Sequence, residues 1–371
     1  MRFNLKQILS VAVAVCAPLS FIGCGGGYDT PDISPHLIAS PSAAPVRPID
    51  EAEGVALSAT SGAQLTTEQY RARVDELYSV VVYDGKRPIF EDDDPVAEIY
   101  ASARAILDKY VLNEWHADPN GEYEIVHVIH DWLVCNIDYD FELYDMYWQG
   151  DSDLMNDPAF YMDGVFLGKK AVCDGLSRAF DFLCAIEGIS SIRVTGSYGA
   201  GPHAWNKVRL GGEWFNVDVT ADSAYYMGAG GRYDKQLSHG YFLVSDKTLG
   251  AFSPNGHVFE AQPYIAERDY DYYATSGDKL VIGGKEYSRV IESAEELNEL
   301  FKAVSAAKGE IGKLEVMLDF DGKAQVNAAD MYATEIRAAY DKVKNAEFKI
   351  DGNSLPYFRY PNGVYLFLIY R

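Results

Sequence analysis

Apolar residues fall at helical spacing in three stretches that precede residue 137. Between Leu65 and Val82, Tyr70, Val74 and Leu77 share a face, Thr66 or Thr67 can cap the start, and Gly85 and Pro88 end the run. A second stretch runs from Asp94 or Pro95 to about Glu114, with Ile99, Ala103, Ile106 and Tyr110 on its inner side. A third runs from about Glu122 to Asn136. Residues 61–121 are thus expected to form a helical lead-in packed on the next domain. Leu176, Ala179, Phe180, Leu183 and Ile186 predict another helix, which Gly188 stops. The period then changes. Ile192–Ser197 reads as a strand. His203–Leu210 and Glu213–Thr220 read as two more, and the Gly211-Gly212 pair between them is a strong hairpin signal.

A second change comes near Asp278. Strands are expected at Lys279–Ile282 and Lys313–Phe320, helices at Ala294–Ala307 and Asp330–Ala346, and closing strands at Glu347–Asp351 and Gly363–Tyr370. This order predicts a small C-terminal α+β domain over residues 263–371. It contains no Cys or His, so thiol and imidazole chemistry must come from elsewhere.

The start of the chain carries a different signal. Arg2 and Lys6 precede an apolar run from Ile8 to Ile22, too short for a comfortable membrane span. Phe21-Ile22-Gly23-Cys24 resembles the bacterial lipobox, which implies a signal peptide over residues 1–23 and lipidation at Cys24. Residues 24–60, rich in Gly, Pro, Ser and Ala, read as a flexible tether. The expectation is an extracytoplasmic, membrane-anchored lipoprotein of the cell surface or periplasm. With a formal charge of −23, the chain repels phosphate backbones and anionic lipid head groups. Nucleic acid is therefore excluded as a partner, and membrane contact is expected through the lipid alone.

Of the five cysteines, two lie in the leader, and the remaining three do not make a disulfide framework. Cys184 reads as a core residue, with a Cys135–Cys184 pairing left open. Cys173 stands at or just before the start of the helix read from Leu176. There the unpaired N–H groups and the dipole favour a thiolate, and later an oxyanion. The hairpin supplies the rest. If Gly211-Gly212 is a two-residue turn, Leu210 faces Glu213 and Trp205 faces Asp218. His203, two residues from Trp205, then shares a face with Asp218 as a diagonal neighbour. A slip of one residue would separate them. A thiol at a helix start, an imidazole and an orienting carboxylate are the parts of acyl-transfer chemistry.

Val172-Cys173-Asp-Gly-Leu, Val194-Thr-Gly196, His203-Ala-Trp-Asn206 and Trp214-Phe-Asn-Val-Asp218-Val-Thr220 together resemble the bacterial transglutaminase-like superfamily. Ile129-His-Asp-Trp-Leu, Tyr139-Asp140 and Tyr241-Phe-Leu-Val-Ser-Asp246 resemble its flanks. The resemblance covers residues 122–247. It implies an α+β, papain-like core within a catalytic domain at 122–262, and a Cys173, His203, Asp218 catalytic triad. It also implies a second oxyanion donor upstream, for which Tyr139 and Trp148 both qualify. That superfamily holds crosslinkers, peptidases, amidases and inactive scaffolds. No calcium-site pattern of the animal crosslinkers is present. The expected activity is surface-anchored acyl transfer at peptide or isopeptide carbonyls of a peptide or cell-wall substrate, hydrolytic rather than crosslinking. The rival is a non-enzymatic binding module for peptide or glycan. Thiol chemistry needs no cofactor. His127 and His130, three residues apart, resemble metal ligands but lack a third.

Overall fold

The computed structural model describes residues 47–58, 65–149, 152–199, 201–227, 233–251, 256–259, 263–270, 279–306, 312–319, 329–343, 357–360 and 363–370. The leader and Cys24 lie outside these residues. Residues 47–58 belong to the stretch read as tether, yet they pack on the helices. Strand β1 (Gly54–Ala56) pairs in parallel with β2 (Arg87–Ile89), and Ile49 and Leu57 are buried. Ile49, Val55 and Leu57 pack on the core from a segment whose average composition is that of a linker.

Helix α1 (Thr67–Tyr78) begins at Thr66, whose hydroxyl accepts from the Gln69 N–H while the Gln69 side chain accepts from the Thr66 N–H. Val74 and Leu77 are buried, and Tyr70 is partly so. Helices α2 (Ala97–Tyr110), a few residues inside its expected bounds, and α3 (Gly121–Asn136), starting one residue before its expected start, follow. The side chains of the lead-in share one continuous core with those of residues 123–243. Ion pairs and hydrogen bonds add to this: Arg71 makes a bidentate pair with Asp163 at 2.7 and 2.8 Å, and the Tyr78 hydroxyl donates to Asp181 at 2.9 Å.

A short parallel pair, β3 (Asp138–Tyr139) with β4 (Lys170–Ala171), brackets helix α4 (Phe141–Trp148) and delivers the chain into α5 (Cys173–Ile186). Leu176, Ala179, Phe180, Leu183 and Ile186 of α5 are all buried, which is the face read from their spacing. Gly188 ends the run at φ +78°, with the Arg47 carbonyl only 2.2 Å from where a Cβ would stand. Position and conformation both demand glycine there.

Helix α5 lies against an antiparallel sheet of β5 (Ser191–Tyr198), β6 (Gly201–Leu210), β7 (Glu213–Val217), β10 (Phe242–Val244) and β11 (His257–Val258), ordered β10-β7-β6-β5-β11. Between β7 and β10 come the turn of helix α6 (Val219–Asp222) and a hairpin of β8 (Ser223–Met227) with β9 (Tyr233–Leu237). Pairing starts at Leu210 opposite Glu213 and reaches Asn206 opposite Val217. That is the register a two-residue glycine turn requires, and Gly211 and Gly212 both have positive φ. After β10 comes the short helix α7 (Asp246–Ala251). The central strand β6 is buried on both faces; even Lys207 is enclosed, its ammonium held by Asp246 and the Tyr264 carbonyl.

The C-terminal part holds a hairpin, β12 (Leu280–Ile282) with β13 (Lys285–Tyr287), and a sheet ordered β14-β15-β17-β16 with helices α8 (Ala294–Ala306) and α9 (Ala329–Val343). Its strands are β14 (Val290–Ile291), β15 (Gly312–Leu318), β16 (Tyr357–Tyr360) and β17 (Gly363–Tyr370). A strand not expected from the sequence lies at Tyr357–Tyr360; the expected strand at Glu347–Asp351 lies outside the described residues. The described residues form an α+β fold. Among the described residues, no helix is long and apolar enough to cross a membrane.

Candidate active site

Cys173 is the first residue of α5, and it is buried. The residue before it, Val172, offers no side-chain cap, so the first-turn N–H groups are left to other partners. The turn is held close to its neighbour: a Cβ on Gly175 would stand 2.3 Å from the Ala159 carbonyl oxygen. His203 lies in β6, opposite Gly196 of β5. Asp218 directly follows β7 and begins α6, where its Oδ1 accepts from the Ala221 N–H at 2.9 Å. Its Oδ2 is 2.7 Å from His203 Nε2. Cys173 lies near enough to the same imidazole to favour its charged form. The structure therefore brings Cys173, His203 and Asp218 together.

Burial opposes a charge on His203, but the Asp218 carboxylate and the Cys173 thiol outweigh it and push its pKa up to about 10. Burial likewise works against ionised Asp218. His203 and then His257 overcome it and hold the carboxyl far below its ordinary range.

Three neighbours fix the geometry. Asn206 donates from Nδ2 to the Ser177 carbonyl at 2.9 Å and to Asp181 at 2.8 Å, clasping β6 to α5 and hence His203 to Cys173. Trp205 stacks on His203, with centroids 5.9 Å apart and planes at 18°, and donates from Nε1 to Asn216. Tyr139 reaches Cys173 from β3 and interacts with both its thiol and its backbone N–H. Burial, with Cys173 beside it, keeps that phenol protonated. Tyr139 is thus placed at the sulfur; the side chain of Trp148, the other candidate, is outside the described residues.

One residue of the site has no signal in the sequence. His257, on the edge strand β11, places Nε2 2.6 Å from Asp218 Oδ2. Burial lowers its pKa, so it stands as a neutral imidazole that donates from Nε2. Its Nδ1 is buried without a hydrogen-bond partner, against the rings of Tyr198 and Trp205. Only the pairing of β11 with β5, between segments about sixty residues apart, brings it there.

Cys135 and Cys184 are not joined by a disulfide; Cys184 is fully buried among apolar side chains of α5. His127 and His130 do not share a ligand site either. His127 pairs with Asp131 one turn on, while His130 turns its two nitrogens to Asp131 and Asp222.

Residues 109–219 match the family model of the transglutaminase-like superfamily. This part of the chain is transglutaminase-like. The mouse kyphoscoliosis peptidase is 28% identical over 160 residues, 39% of this chain and 23% of that protein. The human kyphoscoliosis peptidase is 29% identical over 165 residues, 40% of this chain and 23% of that protein. The chain spans less than a quarter of the length of these relatives. Among solved structures, the crystal structure of a TGase aligns over 43% of this chain and 34% of its own, at 18% identity and a TM-score of 0.28.

Proposed function

We propose that the protein is a cysteine acyl-transfer enzyme that hydrolyses peptide or isopeptide bonds. The observation that carries this reading is the buried His203–Asp218 hydrogen bond beside Cys173, the buried first residue of α5. Cys173 attacks the carbonyl as a thiolate held by the His203 imidazolium. The tetrahedral oxyanion forms beside the first-turn N–H groups of α5 and the Tyr139 hydroxyl. His203 passes its proton to the leaving amine, and a thioester remains on Cys173. A water, deprotonated by the now neutral imidazole, attacks that thioester and frees the acid and the thiol. Asp218 keeps the ring oriented and its cation stabilised throughout. A pure binding module has no need of this alignment of thiol, imidazole and buried carboxylate.

Incubation with a mixed peptide library and a tagged primary amine, read by mass spectrometry, tests the reaction and its acceptor together. The expected products are cleaved peptides without amine incorporation, absent in Cys173→Ala. Amine-tagged peptides would assign crosslinking-type transfer instead. No product and no thioester in the wild-type chain would overturn the enzyme reading.

For location, we propose anchoring through acylated Cys24 on the outer face of a membrane, with a cell-wall or surface peptide as substrate. Fatty-acid labelling that is lost in Cys24→Ala is expected. Labelling that persists in that variant would overturn the proposal.

A further inference from the structure

A second cluster of imidazoles and carboxylates lies along α3, away from the thiol. His127 and Asp131, one turn apart, present Nε2 and Oδ2 to each other at 3.3 Å. His239, from the segment between β9 and β10, brings Nε2 to 2.9 Å from Asp131 Oδ1. Ligand atoms from these three residues all lie within 4.8 Å of one another. Asp131 and His239 are buried, while 14% of the His127 side chain is exposed, which leaves an entry on that side.

The residues behind them are arranged as a metal centre requires. His239 turns its other nitrogen, Nδ1, to Glu315 Oε1 at 3.3 Å, and the same oxygen accepts the His239 backbone N–H at 2.9 Å. A carboxylate on the far nitrogen fixes the ring with Nε2 turned toward Asp131. Asp131 is oriented by His130, whose Nδ1 is 2.8 Å from Oδ1 and whose Nε2 reaches Asp222 at 3.1 Å.

We propose that His127, Asp131 and His239 bind a divalent transition-metal ion, with zinc the best match to two imidazoles and one carboxylate. At metal–ligand distances of about 2.0–2.2 Å, ligand atoms stand ~3.3–3.5 Å apart. The imidazoles meet the two different oxygens of Asp131, at 3.3 and 2.9 Å, and one atom from each residue lies within 4.8 Å of the others, so a rotation of the Asp131 carboxylate and small ring shifts complete the set. Binding replaces the proton between His239 and Asp131 with the metal. The ion joins α3 to the segment before β10, and through Glu315 it braces β15 of the C-terminal sheet. Its role is to fasten the C-terminal part to the core, separately from the thiol chemistry.

The test uses the full chain in a Cys173→Ala background, which removes the thiol as a competing ligand. After chelator treatment it is titrated with Zn²⁺ by calorimetry and with Co²⁺ by visible absorption, and its melting is followed. One equivalent of zinc, Co²⁺ d–d bands and a zinc-dependent rise in Tm are expected. All three should disappear in His127→Ala, a variant at the edge of the cluster whose fold is checked by circular dichroism, and in His239→Ala. No zinc bound by the parent chain would overturn the site. So would binding unchanged in His127→Ala, or binding lost instead in His203→Ala, which would place the ion at His203, Asp218 and His257.

Discussion

His257 donates to the same oxygen of Asp218 that accepts from His203, at 2.6 Å beside 2.7 Å. Asp218 is thus a fully buried carboxylate with two imidazole donors and one backbone N–H. A lone partner would leave most of its desolvation uncompensated. His257→Ala should cost about 1.5–3 kcal/mol of folding stability, the value of a hydrogen bond to a charged group. Urea denaturation measures it. A variant as stable as wild type would show that His257 is not needed to hold the carboxylate.

Tyr139 makes a different prediction. Its hydroxyl interacts with both the sulfur and the N–H of Cys173, where an oxyanion donor must stand. Tyr139→Phe should lower kcat by about 10²-fold, as loss of one such donor does, while alkylation of Cys173 persists. Unchanged kcat would return the role to another group.

The raised pKa of His203 makes stability depend on pH. Its folded value of about 10 lies above the ordinary ~6.5. Its stabilising contribution is therefore complete below pH ~6.5 and is lost as pH rises through about 10. Denaturation midpoints should fall between those limits, and the fall should be smaller in His203→Gln. Equal slopes in the two proteins would contradict the ion pair.

Gly175 tests the approach of the nucleophile's helix to its neighbour. Its missing Cβ would lie 2.3 Å from a backbone oxygen, so Gly175→Ala must displace the start of α5 from residues 158–161. A loss of about 1–3 kcal/mol is expected, with activity falling more than stability alone explains. A fully active, stable Gly175→Ala would mean the turn can shift without moving Cys173.

The parts of this site that are legible in the sequence are those set by local pattern. The Gly211-Gly212 turn fixes the register, and the register puts His203 beside Asp218. Leu176 to Ile186 fix the face of α5 and so place Cys173 at its start. His257, His239 and Glu315 are not legible, because each arrives through tertiary contact: an edge strand, a connecting segment and a strand of the C-terminal sheet. The end of the tether misleads for the opposite reason. Average composition hides three aliphatic residues that pack on the core. A three-residue spacing also suggests His130 as the partner of His127, where the helix turn gives Asp131.

The central claim is that His203 activates Cys173. The most direct measurement is the rate of iodoacetamide alkylation at Cys173 from pH 5 to 9, with the adduct located by mass spectrometry because Cys135 is also partly exposed. The expected result is modification that persists at pH 6, where a free thiol of pKa ~8.5 is almost wholly protonated, and that drops sharply in His203→Ala. A rate that follows the free-thiol curve in wild type, unaffected by His203→Ala, would contradict the account.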